Sequence, residues 1–251
     1  MKQVKFFLVA LMAVVMGMSV TSCMNGDDNH NVTMTVPIKY NYSSFLMGDG
    51  TTKLVPTTEL GLLDGTMFII SCQYDQSQVT ANSTSIPVTL LSTPLCIDPK
   101  GNETLTQTKT EPTNPLYSLD KQQSSLVYYD KNTIVLTMPY WVKFTNSSVE
   151  DSEVKKHSFC LSYNPDEIES NATKLNLYIS HRVEDGEESV TRSITYAYRA
   201  YSISSALYQF KEKTGKLPQY LVLKAETNSS KDELKDENGE TSVEYQYAFT
   251  E

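Results

Sequence analysis

The sequence predicts an all-β protein, with a small closed barrel in its first half and an antiparallel β-sandwich with one short helix in its second half. Short runs of Val, Ile, Thr and Tyr alternate with polar residues along most of the chain, which is typical of half-buried strands. Turn dipeptides such as Asp-Gly and Asn-Gly separate several of these runs, and at that spacing they favour hairpins between antiparallel strands.

The first 22 residues have the composition of a lipoprotein signal peptide. Lys2 and Lys5 precede an apolar run of 13 residues. That run is shorter than the roughly 20 residues that span a bilayer, but it suits a signal-peptide core. The small residue Ser22 directly precedes Cys23, as in a bacterial lipobox. We therefore predict cleavage before Cys23 and lipid attachment to its thiol, which would anchor the protein in the membrane. The alternative is an ordinary secretory signal peptide.

Residues 23–32 are predicted to form a flexible acidic tether, because "MNGDDNHN" is too polar to contribute to a core. Asp27 and Asp28 resemble the acidic export signal that sends lipoproteins of Bacteroidota to the outer cell surface. We therefore predict an outer-membrane protein displayed on the cell surface. The alternatives are ordinary linker charge and an anchor on the periplasmic face.

The net charge argues against a nucleic-acid partner. The chain carries −9, and it carries −11 without the first 22 residues, which hold two lysines and no acidic residue. Binding to phosphates depends on Lys and Arg, and anionic headgroups would also repel this chain. Contact with the membrane is therefore predicted to occur through the lipid alone.

Residues 33–111 are predicted to form the barrel domain. "VTMTVPIKYNY" alternates with a period of two, Gly48-Asp49-Gly50 marks a hairpin, and Asp64-Gly65 leads into "MFIISCQYD". With "SIPVTLLSTPLCI", these segments supply the four to five strands of a small closed barrel. The stretch from Pro99 to Pro115 has three prolines and little apolar content. It therefore indicates a linker, with the domain boundary at Glu111-Pro112.

Residues 112–251 are predicted to form the sandwich domain, with six or seven alternating strands. One helix interrupts them in "SISSALYQFKEKTGKLP". Ser204 or Ser205 is the expected N-cap, Leu207 and Phe210 share the buried face, and Gly215 and then Pro218 end the helix. The predicted strands are "SLVYYD", "TIVLTMPYWVKF", "KKHSFCLSYN", "KLNLYISHRV", "SVTRSITYAYRAYSI", "QYLVLKAET" and "TSVEYQYAFT".

Four features together resemble the NigD-like lipoproteins of Bacteroidota. They are the lipobox cysteine with its acidic tether, "GDGTTKLVPT", "VTLLSTPLCI", and the series "YWVKF…KKHSFCLSYNPDE…KLNLYISHR". The resemblance implies an OB-type barrel followed by a C-terminal β-sandwich. It implies no catalytic residues, and the prototype is associated with a bacteriocin locus, where a role in immunity has been proposed. This chain departs from the family at the helix and at the acidic turn "SSKDELKDENGE".

The sequence contains no recognisable catalytic or metal-binding motif. His30, His157 and His181 form no HxH or HExxH pattern, and we expect the two later histidines to face solvent from strands. GxSxG, P-loop and GxGxxG motifs are absent, and the carboxylates cluster in turns. We therefore predict that the protein is not an enzyme and uses no cofactor or metal.

Besides Cys23, three cysteines occur in apolar strand-like contexts: Cys72, Cys96 and Cys160. No pair has a CxxC spacing, which argues against zinc. Buried free thiols are the expected state, while a disulfide between Cys72 and Cys96 remains open, since spacing does not establish its geometry.

The aromatic residues give the sequence-based candidate for a binding surface. "YWVKF" and "YAYRAY" carry rings at alternating positions, and rings with polar groups suit contacts to a sugar or to a protein. The alternative is core packing. We predict a non-enzymatic, lipid-anchored protein that binds an unknown protein or glycan, with bacteriocin protection as one role. The alternative function is a glycan-binding lipoprotein of a saccharide-uptake system. The candidate rings are Tyr140, Trp141, Tyr196, Tyr198 and Tyr201.

Overall fold

A computed structural model describes residues 21–22, 31–80, 82–97, 103–104, 114–144, 148–184, 192–230 and 239–249. The all-β prediction is confirmed: most of the structure is strand, with a closed five-stranded barrel and further sheets. The chain divides into two compact units, Met1–Gly101 with Val127–Val135, and Asn102–Leu126 with Leu136–Glu251. Cys23, the acidic pair that follows it, and the predicted boundary at Glu111-Pro112 lie outside the described residues.

The first unit contains a barrel with the strand order of an OB fold. Its sheet runs β1-β2-β3-β4-β6-β5-β7, and an additional pairing of β2 with β5 closes five of these strands into a ring. β4 pairs in parallel with β6, while β2 pairs antiparallel with β5. The strands are β1 (Thr21–Ser22), β2 (Asn31–Asn41), β3 (Ser44–Leu46), β4 (Lys53–Pro56), β5 (Met67–Asp75), β6 (Ser85–Leu90) and β7 (Leu95–Cys96).

The barrel interior follows from alternation along β2 and β5. Every second side chain of β2, from Val32 to Tyr40, is buried. The register places Val36 opposite Ile70 and Met34 opposite Cys72, so the buried faces of the two strands coincide. Successive side chains of a strand point to opposite faces, and the period-two pattern therefore defines which residues fill the barrel.

The predicted hairpin turn between β3 and β4 is held by Asp49. Its carboxylate accepts hydrogen bonds from the backbone N–H groups of Thr51 and Thr52, at 2.9 and 2.8 Å. Burial alone would raise the pKa of Asp49, but the hydrogen bond from the Thr52 hydroxyl, together with those from the two backbone N–H groups, outweighs it and lowers the pKa below its ordinary value. Gly50 has a φ of 71°, which glycine adopts without steric cost.

The second unit contains two four-stranded sheets, in the orders β8-β13-β10-β9 and β11-β12-β14-β15. The strands β9 and β10 form a hairpin whose tip, Val127–Val135, belongs to the first unit. The sequence did not predict that assignment. The strands are β8 (Glu103–Thr104), β9 (Ser125–Asp130), β10 (Thr133–Lys143), β11 (His157–Ser162), β12 (Lys174–Val183), β13 (Arg192–Ser202), β14 (Tyr220–Glu226) and β15 (Glu240–Gln246).

Parallel pairing also occurs among the described strands of the second unit. β12 pairs in parallel with β14, and β13 pairs in parallel with β8. Parallel neighbours need a crossover connection. Between β12 and β14 the chain supplies one, because it passes through β13 in the other sheet and then through the helix Ser204–Thr214 before it returns.

The predicted helix is present and ends as expected. Leu207 and Phe210 are buried, and Gly215 caps the C-terminus with a φ of 74°. The N-cap prediction is wrong, because the cap position is held by Ile203, which makes no side-chain capping bond. Ile203 is fully buried, so packing determines where this helix begins. A second helix of one turn, Asp151–Val154, was not predicted.

Candidate functional site

Three of the five candidate rings lie in the core of the second unit. Tyr140, Trp141 and Tyr201 are 2%, 3% and 1% exposed. The Trp141 Nε1–H donates to the backbone oxygen of Asn228 at 2.9 Å, and the Tyr201 hydroxyl donates to the backbone oxygen of Phe159 at 3.1 Å. The prediction that these three rings form an accessible binding surface is therefore wrong.

The reason is that β10 is covered on both faces. Every residue from Met138 to Val142 is buried. The ring of Tyr140 packs on one face against that of Phe159, with ring centroids 5.0 Å apart. The ring of Trp141 packs edge-on against that of Tyr117, at 5.1 Å. Alternation separates the two faces of a strand but does not show whether the second face is covered.

The two remaining rings lie on the outer face of β13. Tyr196 is 46% exposed, whereas its neighbour Ala197 is buried, and Tyr198 is half-buried. Ile194 lies two residues before Tyr196 and is also exposed. As the alternation of the sequence predicts, Tyr196 and Tyr198 lie on one face of the strand and Ala197 on the other. The same period of two, continued by one step, would have identified Ile194 as a further residue of the outer face. We name Ile194, Tyr196 and Tyr198 the β13 outer row.

The second feature with distinctive chemistry is a buried pair of histidines. His157 and His181 are only 7% and 2% exposed, so the expectation of solvent-facing histidines is wrong. They lie on the neighbouring antiparallel strands β11 and β12, whose register pairs Phe159 with His181. The rings of Phe159 and His181 stack with centroids 4.7 Å apart. An aromatic enclosure of this kind gave no signal in the sequence, because its members are far apart in the chain.

The hydrogen bonds of the histidine pair determine which ring nitrogen of each residue carries the proton. His181 Nδ1 lies 3.2 Å from the backbone oxygen of Pro115, which can only accept, so Nδ1 of His181 carries the proton. In the neutral ring the other nitrogen, Nε2, is then an acceptor. It lies 2.9 Å from His157 Nδ1, so that atom donates. Nε2 of His157 is left unprotonated, and it has no hydrogen-bond partner within the part of the chain that the structure describes.

A carboxylate stands beside the unpaired nitrogen. Glu153 Oε1 lies 3.8 Å from His157 Nε2, and Glu153 also forms an ion pair with Lys156 at 3.0 Å. Arg192 is buried close enough to interact electrostatically with Glu153. We name Glu153, His157, His181 and the carbonyl of Pro115 the histidine relay.

Burial keeps both rings neutral at ordinary pH. It lowers the pKa of His157 to about 4, although Glu153 acts in the opposite direction. Burial, together with repulsion from His157, lowers the pKa of His181 to about 3. An unfolded histidine titrates near 6.5, so the unfolded chain binds these protons more tightly than the folded one. The stability contributed by the neutral pair is complete above pH 6.5 and is lost as the pH falls towards 4.

The three cysteines in the described part of the chain form no disulfide, so the open alternative of a disulfide between Cys72 and Cys96 is not realised. Cys72 is buried in the barrel, and burial raises the pKa of its thiol to about 12. Cys96 is exposed and Cys160 is half-buried, so the expectation of burial holds only for Cys72. Among the described residues, no group of His, Cys, Asp or Glu is arranged to hold a metal ion, and no helix is long and apolar enough to cross a membrane.

Comparison with known proteins yields similar structures without an assigned activity. No family model matches the sequence, and no curated protein matches it. The chain is similar to the solved structure of a predicted lipoprotein from Bacteroides fragilis, with 28% identity and a TM-score of 0.66, over 86% of this chain and 98% of that one. It is also similar to an uncharacterized protein from Parabacteroides merdae, with 14% identity and a TM-score of 0.51, over 85% of this chain and 98% of that one. The second similarity indicates the fold alone.

Proposed function

We propose that this protein is a lipid-anchored component of the bacterial cell envelope, of the NigD-like type, and that it binds a partner rather than catalysing a reaction. The observation that carries the proposal is the agreement between two independent features. The sequence has a lipobox at Ser22-Cys23, and the chain is similar over 86% of its length to a protein described as a predicted lipoprotein. The acidic pair after the cysteine favours the outer membrane and the cell surface.

The lipid anchor predicts a specific chemical modification. Mass spectrometry of the membrane fraction should identify an N-terminal Cys23 peptide that carries two or three acyl chains. Cys23→Ala should move the protein out of the membrane fraction, because several acyl chains on one residue anchor a protein stably. Cys96→Ala is the matched control, since Cys96 is exposed and should have no role in anchoring. Unchanged membrane association of Cys23→Ala would exclude the anchor.

The β13 outer row is the surface that we propose for binding. Ile194 and Tyr196 are exposed and lie on the same face as Tyr198. They offer an apolar surface with phenol hydroxyls at its edge, which suits a protein or a sugar ring. The net charge of the chain is negative and opposes an anionic ligand. Glycan binding remains the alternative to a protein partner such as a bacteriocin-related protein.

A matched pair of tyrosine variants tests this surface. The purified protein would be applied to a glycan array, and a photo-crosslinking residue at position 194, which keeps Tyr196 in place, would be used in intact cells to capture a protein partner. Tyr196→Ala should weaken whichever interaction is found by about tenfold or more, equivalent to ~1.4 kcal/mol. Tyr208→Ala should not weaken it, because Tyr208 is 62% exposed but lies on the helix Ser204–Thr214. Equal effects of both substitutions would exclude the β13 outer row as the binding surface.

A further inference from the structure

The histidine relay contacts the segment Asn114–Leu116 of the second unit. The segment Asn114–Leu116 makes backbone hydrogen bonds at both ends: the Asn114 N–H donates to the carbonyl of His181 at 3.2 Å, and the Leu116 N–H donates to that of Glu226 at 2.9 Å. Between them, the His181 ring donates to the carbonyl of Pro115. Leu116 itself is 1% exposed. The Asn228 N–H also donates to the carbonyl of Leu116 at 2.8 Å. The segment is therefore held to the sheet by backbone hydrogen bonds and by the side chain of one titratable residue.

A first proton can enter the relay without breaking a hydrogen bond. The acceptor is Nε2 of His157, which has no hydrogen-bond partner among the described residues. The new N–H would point towards the carboxylate of Glu153, which lies 3.8 Å away, and the two groups would form an ion pair. The hydrogen bond from His157 Nδ1 to His181 Nε2 and the one from His181 Nδ1 to Pro115 would both remain.

A second proton cannot enter in the same way. The only unprotonated nitrogen left is Nε2 of His181, and it faces the N–H of His157 at 2.9 Å. Protonating it would place two N–H donors against each other and two positive rings in a stack, with centroids 5.2 Å apart. The rings would have to separate. Protonated His181 keeps its Nδ1–H and with it the donor to Pro115, so the bond to Pro115 is lost only when this separation displaces the His181 ring.

The other charged groups around the pair add to this effect. Lys156 and Arg192 both interact with Glu153. They therefore compete with the His157 imidazolium for the negative charge of that carboxylate. Arg199, on β13, lies 5.4 Å from the centre of the Phe159 ring, and that ring stacks on His181. Tyr140, the phenol packed against both imidazoles, has its pKa raised to about 12 by burial and stays neutral. Glu153 is thus the carboxylate that faces the pair in the described part of the chain.

We propose that the histidine relay is an acid-sensitive clamp, which tolerates one proton at His157 and releases the segment Asn114–Leu116 from the sheet when His181 accepts a second. The segment belongs to the second unit. Acidification would therefore loosen this segment within the second unit, while the barrel stays folded.

Amide hydrogen exchange between pH 7 and pH 4 tests the clamp on the full chain. After correction for the intrinsic pH dependence of exchange, the protection of the Asn114 and Leu116 amides should fall by between about tenfold and about a hundredfold per pH unit below pH 6.5, for the uptake of one or two protons. Two amides are the internal references and should keep their protection: that of Lys53 in the barrel, which donates to Thr84, and that of Gly215 in the second unit, which donates to Lys211. A parallel fall at the Gly215 amide would mean unfolding of the second unit and would overturn the proposal.

His181→Gln separates the clamp from other acid effects. A glutamine amide can donate to Pro115 and accept from His157, but it does not titrate. Because only His157 still titrates in this variant, the protection of Asn114 and Leu116 should fall less steeply with pH than in the wild type, by at most about tenfold per pH unit. A wild-type pH profile in this variant would overturn the proposal.

A second measurement needs no variant. Nitrogen-15 NMR of the wild-type imidazoles should show Nε2 of His157 protonated before Nε2 of His181. The opposite order would overturn the proposal, even if the glutamine variant did not fold.

Discussion

Replacing Trp141 with alanine should lower the free energy of unfolding by about 3–5 kcal/mol, the range for aromatic truncation in a core. The side chain is 3% exposed, it contacts Tyr117 edge-on, and its N–H donates to the backbone of Asn228. Alanine would leave a cavity and would remove the hydrogen bond to the backbone of Asn228. Because Trp141 is the only tryptophan, unfolding in denaturant should be followed by circular dichroism rather than by fluorescence.

Tyr196→Ala is the control for this prediction. Tyr196 is also an aromatic residue on a strand, but it is 46% exposed, and truncation of an ordinary surface side chain changes stability by about 0.5 kcal/mol or less. Comparable losses in the two variants would contradict the placement of Trp141 in the core and of Tyr196 on the outer face. They would also remove the structural basis for the proposed binding surface.

Gly48→Ala should destabilise the first unit by about 3 kcal/mol or more, at or above the upper end of the usual cost of overpacking. A Cβ atom at this position would lie 1.4 Å from the backbone oxygen of Tyr129 and 2.4 Å from its carbonyl carbon. Backbone atoms cannot rotate away as a side chain can, so the turn or the hairpin tip that carries Tyr129 would have to move. The hydrogen bond from the Tyr129 hydroxyl to the carbonyl of Leu46, at 3.2 Å, would be strained by the same movement.

Gly61→Ala provides the matched control in the same unit. A Cβ atom at Gly61 would meet nothing within 4 Å, and we expect a change of at most about 0.5 kcal/mol. Thermal unfolding of the two variants under identical conditions measures the difference. Equal stability of the Gly48 and Gly61 variants would show that the hairpin tip does not approach the barrel turn as closely as the structure indicates.

Local patterns predicted the elements and one face of each barrel strand. The alternation of "VTMTVPIKYNY" defined β2 and its buried side chains, and the glycine after "FKEKT" ended the helix at Thr214. Such predictions succeed because they depend on neighbours in the chain: a strand alternates with a period of two, and glycine adopts positive φ at a helix end. The start of the helix shows where local patterns fail. Local preference favours a serine at the N-cap, but the buried Ile203 occupies that position.

The all-β class, the order of the strands and the residues that share a face therefore follow from local sequence patterns, as does the expectation of a lipid anchor at Cys23. What covers each face depends on the packing of distant segments. This packing buried Tyr140 and Trp141 on opposite sides of one strand, left Tyr196 in solvent, and brought His157 within hydrogen-bond distance of His181 although 24 positions separate them in the chain. The physical reason is that periodicity describes the direction of a side chain, whereas burial and hydrogen bonding depend on which distant segment packs against it.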